Sequence, residues 1–252
     1  MAAEVEKGGG RALAVGCDVS QRSSVEALFG AAVEHFGQVD FAVLCAGILR
    51  FNLVQDVTDE EWDAVIDTHF KGTFLCAQAA AKIMVPRGYG KLVFLSSGAA
   101  RGWKARIHHS AAKAGIESMT RVLAAELGPS NINVNAVAPG FVETWMPEQH
   151  AAWLGEDYEA FKARNEAQIP LRRVGTPEEH AAVITFLCVT TRTTSVGSSC
   201  GGQRRRHRDR LVRCHRRHLP VAGRWWGASL KSAPPTSVAG PLPHARGDVA
   251  SR

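Results

Sequence analysis

The chain has 252 residues with a hydrophobic content of 45%, enough for a sizeable buried core. No apolar run of about 18 residues suggests a membrane span, and the opening MAAEVEKGGG lacks the apolar stretch of a secretory signal. The net charge of +6 conceals a division, because residues 189–252 hold twelve Arg and one Lys against two Asp while residues 1–188 are mildly acidic. Six cysteines occur without CxxC spacing, which points to reduced thiols in a cytoplasmic protein and to no metal framework.

In chain order, RALAVGC (11–17) is a short apolar run that predicts a β-strand ending at Asp18. Val25, Leu28, Phe29, Ala32, Val33 and Phe36 then recur at helical spacing across 21–36. DFAVLCAGI (40–48) predicts a buried strand stopped by Gly47. TDEEW (58–62) places Glu61 three residues after a capping Thr58, and predicts a long helix to about residue 84. KLVFLSS (91–97) predicts another buried strand, followed by a Gly/Arg-rich loop and a helix over 109–127. INVNAVAPG (132–140) predicts a strand ended by Pro-Gly. A second capping box, TPEE (176–179) with Pro at the first helical position, predicts a helix to about Cys188. Apolar strands alternating with helices give an α/β fold with a parallel sheet covered on both faces. Ligands in such sheets bind at the carboxyl ends of the strands. Function is therefore expected in the loops after residues 17, 45, 96 and 138.

Read in order, CDVS (17–20), LCAG (44–47), HFKGTF (69–74), FLSSGAA (94–100), HSAAKAG (109–115), NVNAVAPGFVET (133–144) and RRVGTPEE (172–179) resemble the short-chain dehydrogenase/reductase family. These are Rossmann-type oxidoreductases that use NAD(H) or NADP(H). The resemblance covers roughly residues 5–188 and implies hydride transfer between the cofactor and an alcohol or ketone. Under it, Asp18, grouped with Val19, hydrogen-bonds the adenine amino group, and Ala46–Gly47 lets the backbone approach the adenine-side ribose. Lys113 holds the nicotinamide ribose and favours the ionised form of a neighbouring acid. Ser97 polarises the substrate carbonyl. Pro139–Gly140 closes over the nicotinamide, whose carboxamide falls to Thr144 and the Val142 backbone. The family usually separates this serine from the catalytic acid by 13 residues; Ser96 lies 13 before His109 and Ser97 lies 12 before it. Ser97 is preferred as the second serine of the pair. Taken singly, each residue has an ordinary structural explanation, as a turn former, a solvated lysine or a helix cap. Their joint order is what points to function.

The departures fall on the chemistry. His109 stands where the family has its catalytic tyrosine, and His69 where a helix asparagine anchors a proton-relay water. Tyr89 and Tyr158, the only two tyrosines, do not fit the motif. Imidazole can act as an acid or base near neutral pH. It is shorter than a phenol, however, and Lys113 beside it disfavours protonation. The family's phosphate-cradling glycine loop is expected to be missing, since Gly8-Gly9-Gly10 has neither a strand before it nor a helix after it. With the first two strands of the doubly wound order absent, residues 11–17 should either pair directly with 41–45 or dock poorly, baring a sheet edge.

Residues 189–252 are rich in Arg, Ser, Gly and Pro with no sustained period, and are expected to be a disordered basic tail in place of the family's last strand. A frameshift near residue 189 is the preferred origin; an inert tail and a nucleic-acid-binding stretch at 204–218 are the other readings. The whole is read as a Rossmann-like doubly wound parallel sheet over 1–188, lacking its first two strands and its last. Its function would be that of a cytoplasmic oxidoreductase with impaired or lost activity. The alternative is a non-catalytic remnant acting as an oligomerising protein. A homo-oligomer would pack through helices 58–84 and 109–127, and residues 145–170 would cover an alcohol or ketone substrate. The choice between NAD and NADP stays open.

Overall fold

Three of the four predicted strands form. β1 (Phe41–Leu44), β2 (Gly90–Leu95) and β3 (Ile132–Val137) make a parallel sheet in the order β1-β2-β3, with Phe41 opposite Lys91 and Gly90 opposite Ile132. The computed structural model describes residues 2–189; the readings placed on the basic tail, its origin and its nucleic-acid stretch lie outside the described residues.

In order along the chain the helices are α1 (Ala2–Lys7), α2 (Arg22–Phe36), α3 (Asp59–Ile66), α4 (Gly72–Met84), α5 (Ile107–Leu127), α6 (Trp145–Leu154), α7 (Tyr158–Glu166) and α8 (Pro177–Val189). α3 and α4 cross from β1 to β2, and α5 crosses from β2 to β3, as parallel pairing requires. The architecture is Rossmann-like α/β. Alternation along the strands sends Ala42, Leu92, Phe94, Val134 and Ala136 to one face, where they meet Val25, Leu75, Met84, Ile116 and Ala124 of α2, α4 and α5. Val93 and Val137 point the other way, against Leu187 and Cys188 of α8. In β1, Phe41 and Val43 share that second face but stay 42% and 40% exposed, so the cover over this side of the sheet is partial. Helix α8 runs through Val189, one residue past the boundary read from the sequence. Among the described residues no helix is long and apolar enough to cross a membrane.

Three expectations need correction. Residues 11–17 are not a strand. An extended segment becomes a strand only when a neighbour takes its N–H and C=O groups, and the outer edge of β1 does not recruit this one. Leu13 is 43% exposed, while Cys17 and Val19 alone of this stretch and its end pack on the core. Of the two alternatives the segment takes the second and docks poorly. The capping box at Thr58 is half formed: the Thr58 hydroxyl accepts from the Glu61 N–H at 3.2 Å, but the Glu61 carboxylate accepts instead from Asn52 Nδ2 at 2.7 Å. The box at Thr176 is reciprocal, with the Thr176 N–H donating to Glu179 Oε2 at 2.9 Å and the Glu179 N–H to Thr176 Oγ1 at 3.3 Å. Finally, the long helix after Thr58 is not uniform. Residues Asp67–Lys71 between α3 and α4 are a π-helical turn, a wider winding that often marks functional sites. His69 lies at its centre.

Candidate active site

The carboxyl ends of β1 and β2 gather most of the residues singled out in the sequence. Lys113, on the second turn of α5, is 6% exposed, and its Nζ donates to the Leu95 carbonyl at 2.5 Å, at the last residue of β2. Burial lowers its pKa to about 8, opposed by the Cys45 thiol. At neutral pH it is still mainly a cation. His109 lies one turn earlier on the same helix and is 6% exposed. Its ring meets that of His69 edge-on with centroids 4.9 Å apart. Burial is the main reason that the His109 pKa falls to about 2 and that of His69 to about 4. Next come the charges around them: the His69 and Lys113 sites act on His109, and Lys113 acts on His69. Both rings are therefore neutral at pH 7, and the Nδ1 of each is buried without a hydrogen-bond partner.

The π-turn and the loop after β1 together hold His69. Its Nε2 lies 2.7 Å from the Ile48 carbonyl and 3.0 Å from the Ile48 N–H, and its own carbonyl accepts from the Thr73 hydroxyl at 2.6 Å. The shorter contact favours Nε2–H as donor to Ile48 O, which leaves a lone pair on Nδ1. Gly47 passes so close that a Cβ there would lie 2.4 Å from His69 Cε1. This glycine is needed because the imidazole occupies the space a side chain would take. Gly47→Ala is expected to cost about 1–3 kcal/mol by overpacking, seen as a lowered Tm. His69→Ala in the same chain should recover most of that loss; if it does not, the contact is not the reason for the glycine.

The two candidate serines separate cleanly. Ser96 is buried and its hydroxyl reaches the Lys113 carbonyl at 3.2 Å and Glu117 Oε1 at 3.1 Å, tying the end of β2 to α5. Ser97 is half-buried, and its Oγ accepts from the Ala99 N–H at 3.1 Å, capping the short turn Gly98–Arg101. An oxygen that accepts at a cap keeps its own proton to donate.

The remaining predicted residues lie in the segment before α2, the loop after β1 and the segment between β3 and α6. Thr144 occupies the N-cap position of α6 but makes no cap hydrogen bond with its side chain, so its hydroxyl is uncommitted to the helix. Val142 bridges to Gly175, which fixes the loop leading to Thr144. The Pro139 carbonyl accepts from the Gly98 N–H at 2.8 Å, and a Cβ added at Gly140 would point into open space. Ala46 joins Cys45 to Gly47 in the loop after β1. Asp18 is exposed and its Oδ1 accepts from the Ser20 N–H and hydroxyl, which lowers its pKa. Val19 packs against Gly72 at the start of α4, where a Cβ would meet it at 2.8 Å.

Four neighbours escaped the sequence reading. Cys45, at the end of β1, interacts electrostatically with Lys113. His108 is fully buried; its Nδ1 accepts from the His109 N–H at 2.8 Å, and its Nε2 faces Glu61 at 3.9 Å. Arg106 and His150 meet at 3.0 Å. His108, Arg106 and His150 are brought in at the start of α5 and on α6, whose directions depend on packing. The one available signal was Arg106 beside two histidines at the start of a helix.

Comparison with known proteins identifies the family and the fold. A family model described as enoyl-(acyl carrier protein) reductase matches residues 1–200. The short-chain reductase protein NovJ of Streptomyces niveus is 42% identical over 73% of this chain and 71% of its own. A 3-oxoacyl-[acyl-carrier-protein] reductase of Synechocystis is 38% identical over 73% of this chain and 71% of its own. Among solved structures, an NAD+-bound xylitol dehydrogenase superposes with a TM-score of 0.71 at 28% identity, over 75% of this chain and 77% of that one.

Proposed function

The chain belongs to the short-chain dehydrogenase/reductase family of oxidoreductases, and from that premise we propose that Ser97, His109, Lys113 and His69 form a nicotinamide-dependent carbonyl/alcohol site whose proton transfer is impaired. The observation that supports this most is the placement of Lys113. It is a buried cation anchored on Leu95 at the carboxyl end of β2, one helical turn from His109 and next to the Ser96–Ser97 strand end. The 3-oxoacyl reductase relative makes 3-oxo compounds the first substrate class to try.

The nicotinamide end of a cofactor suits the residues present. Thr144 has a free hydroxyl, Gly140 faces open space, and Lys113 brings a cation to the same end of the sheet. Together with the Pro139 and Val142 backbone these residues would hold the ring and its ribose, while Asp18, Val19 and Ala46–Gly47 are assigned to the adenosine half. Bound there, the cofactor supplies or accepts a hydride. In this scheme the Ser97 hydroxyl donates to the substrate oxygen and stabilises the charge that develops on it. Lys113 adds a fixed positive potential. His109 must then give or take the proton, and it is badly placed to do either. With a pKa of about 2 it carries no imidazolium proton at pH 7 and is a weak base.

Titration of the full chain with NADH and NADPH, followed by reduced-cofactor fluorescence, tests this reading. Lys113→Met should weaken binding roughly tenfold, the effect of losing one charge-assisted hydrogen bond, and abolish residual turnover. Thr144→Val should weaken binding with Tm preserved. Absence of binding for both cofactors, or a Lys113→Met chain that binds and turns over unchanged, would overturn it.

A further inference from the structure

Arg106 is 8% exposed, yet no carboxylate among the described residues pairs with it. A buried cation without a counter-charge is costly, and proteins normally pair or neutralise such groups. Burial does lower the Arg106 pKa, to about 10, which still leaves a full positive charge at pH 7. Two aromatic faces hold the guanidinium in place, with its carbon 4.5 Å from the Phe51 ring centroid and 5.2 Å from that of Trp103. Nη2 contacts His150 Nδ1 at 3.0 Å, and Nε is buried with no hydrogen-bond partner. Acids in the surroundings are engaged elsewhere: Glu61 with Asn52 at 2.7 Å, and Glu156 with Arg164 at 2.7 Å.

We propose that Arg106 is the anion-binding subsite of this same active site, and that the substrate is an oxo or hydroxy acid whose oxoanion lies close to the reacting carbon. The proposal deepens the oxidoreductase reading and rests on it for the reacting carbon, though not for the anion. Three features carry it. Arg106 is the N-cap residue of α5, three residues before His109, and lies near enough for its charge to act on that ring. The guanidinium's planar fork of N–H donors matches a carboxylate or phosphoryl group, and it is already stripped of water by its aromatic neighbours. Its unpartnered Nε is the donor such a group would take first, with His150 on α6 giving way at Nη2. An anion seated there would also screen His109 from one of the positive charges acting on it.

Calorimetric titration of the full chain with acetoacetate, with neutral acetoacetamide and with inorganic phosphate tests the subsite without cofactor or turnover. Its outcome is therefore independent of whether the catalytic reading stands. Acetoacetate is expected to bind at least tenfold tighter than acetoacetamide, and Arg106→Met to remove that preference, with Arg106→Lys keeping part of it. If phosphate binds and is lost in Arg106→Met while acetoacetate does not bind, the subsite stands and its ligand is a phosphoryl group. Equal binding of the charged and neutral probes to the wild-type chain, or a preference unchanged in both Arg106→Met and Arg106→Lys, would overturn it. The comparison of probes on the wild-type chain decides the matter even where Arg106→Met does not fold.

Discussion

Replacing His109 by tyrosine is expected to raise carbonyl reduction by about 10²–10⁴-fold at neutral pH, the usual worth of a positioned general acid. His109 sits among Lys113, Arg106, His69 and His108, with almost no contact with water. Every one of those neighbours disfavours a second positive charge, so the imidazole stays neutral far below the pH at which a reductase works. A phenol inverts the effect of the same surroundings. Its acidic form is neutral and its basic form is an anion, so burial keeps the phenol protonated and ready to donate, while the Lys113 cation offsets the rise that burial causes and eases proton release. The phenol is also longer, and its oxygen extends beyond the point where the imidazole ends. Its ring would meet His69, whose ring centroid is 4.9 Å from that of His109, so His69→Asn with His109→Tyr should exceed the single change. His109→Phe separates the causes, because it reproduces the bulk without the proton and should give no gain. A correctly folded His109→Tyr chain no faster than wild type would remove the proton-transfer argument.

The sheet was legible because a buried parallel strand writes itself as a short, strongly apolar run, continuous in FAVL and LVFL and broken only by Asn133 and Asn135 in INVNAV. RALAVGC has the same composition and is not a strand, since strand identity also needs an adjacent edge, and no local pattern reports that. The site was legible as a list of residues and illegible as an arrangement. Spacing alone leaves Ser96 and Ser97 equivalent; only the fold shows that Ser96 is spent on Lys113 and Glu117 while Ser97 caps a turn. The π-turn at Asp67–Lys71 left no sequence signal, yet it holds His69 at its centre beside Gly47 and His109. Arg106 went unread for a related reason. A cation at a helix start is ordinarily solvated, and its burial is set by Phe51 and Trp103, residues distant from it or in a different turn.

The histidine pair should also make the fold acid-sensitive in a window where carboxylates are silent. Unfolded, both imidazoles take up protons near pH 6.5. Folded, His69 resists until about 4 and His109 until about 2, because burial opposes the charged form. The unfolded chain thus binds more protons between these values, and stability falls as the pH falls. The contribution is fully present above about pH 6.5, and is lost progressively below it. His69 reaches its limit near pH 4, whereas His109 continues towards pH 2. At pH 5 the loss is about 2 kcal/mol per histidine, roughly 4 kcal/mol for the pair, a large part of the 5–15 kcal/mol that holds a typical domain. Urea denaturation at pH 7.5 and pH 5 measures it directly. His69→Asn should remove part of the difference, and His69→Asn with His109→Tyr should remove about twice as much, leaving the shares of His150, whose pKa also falls to about 4, and of the buried His108. One pair of substitutions therefore carries two independent readouts, faster turnover at pH 7 and a flatter stability profile down to pH 5. A double variant that loses stability as steeply as wild type would show that the buried imidazoles are not what destabilises the fold in acid.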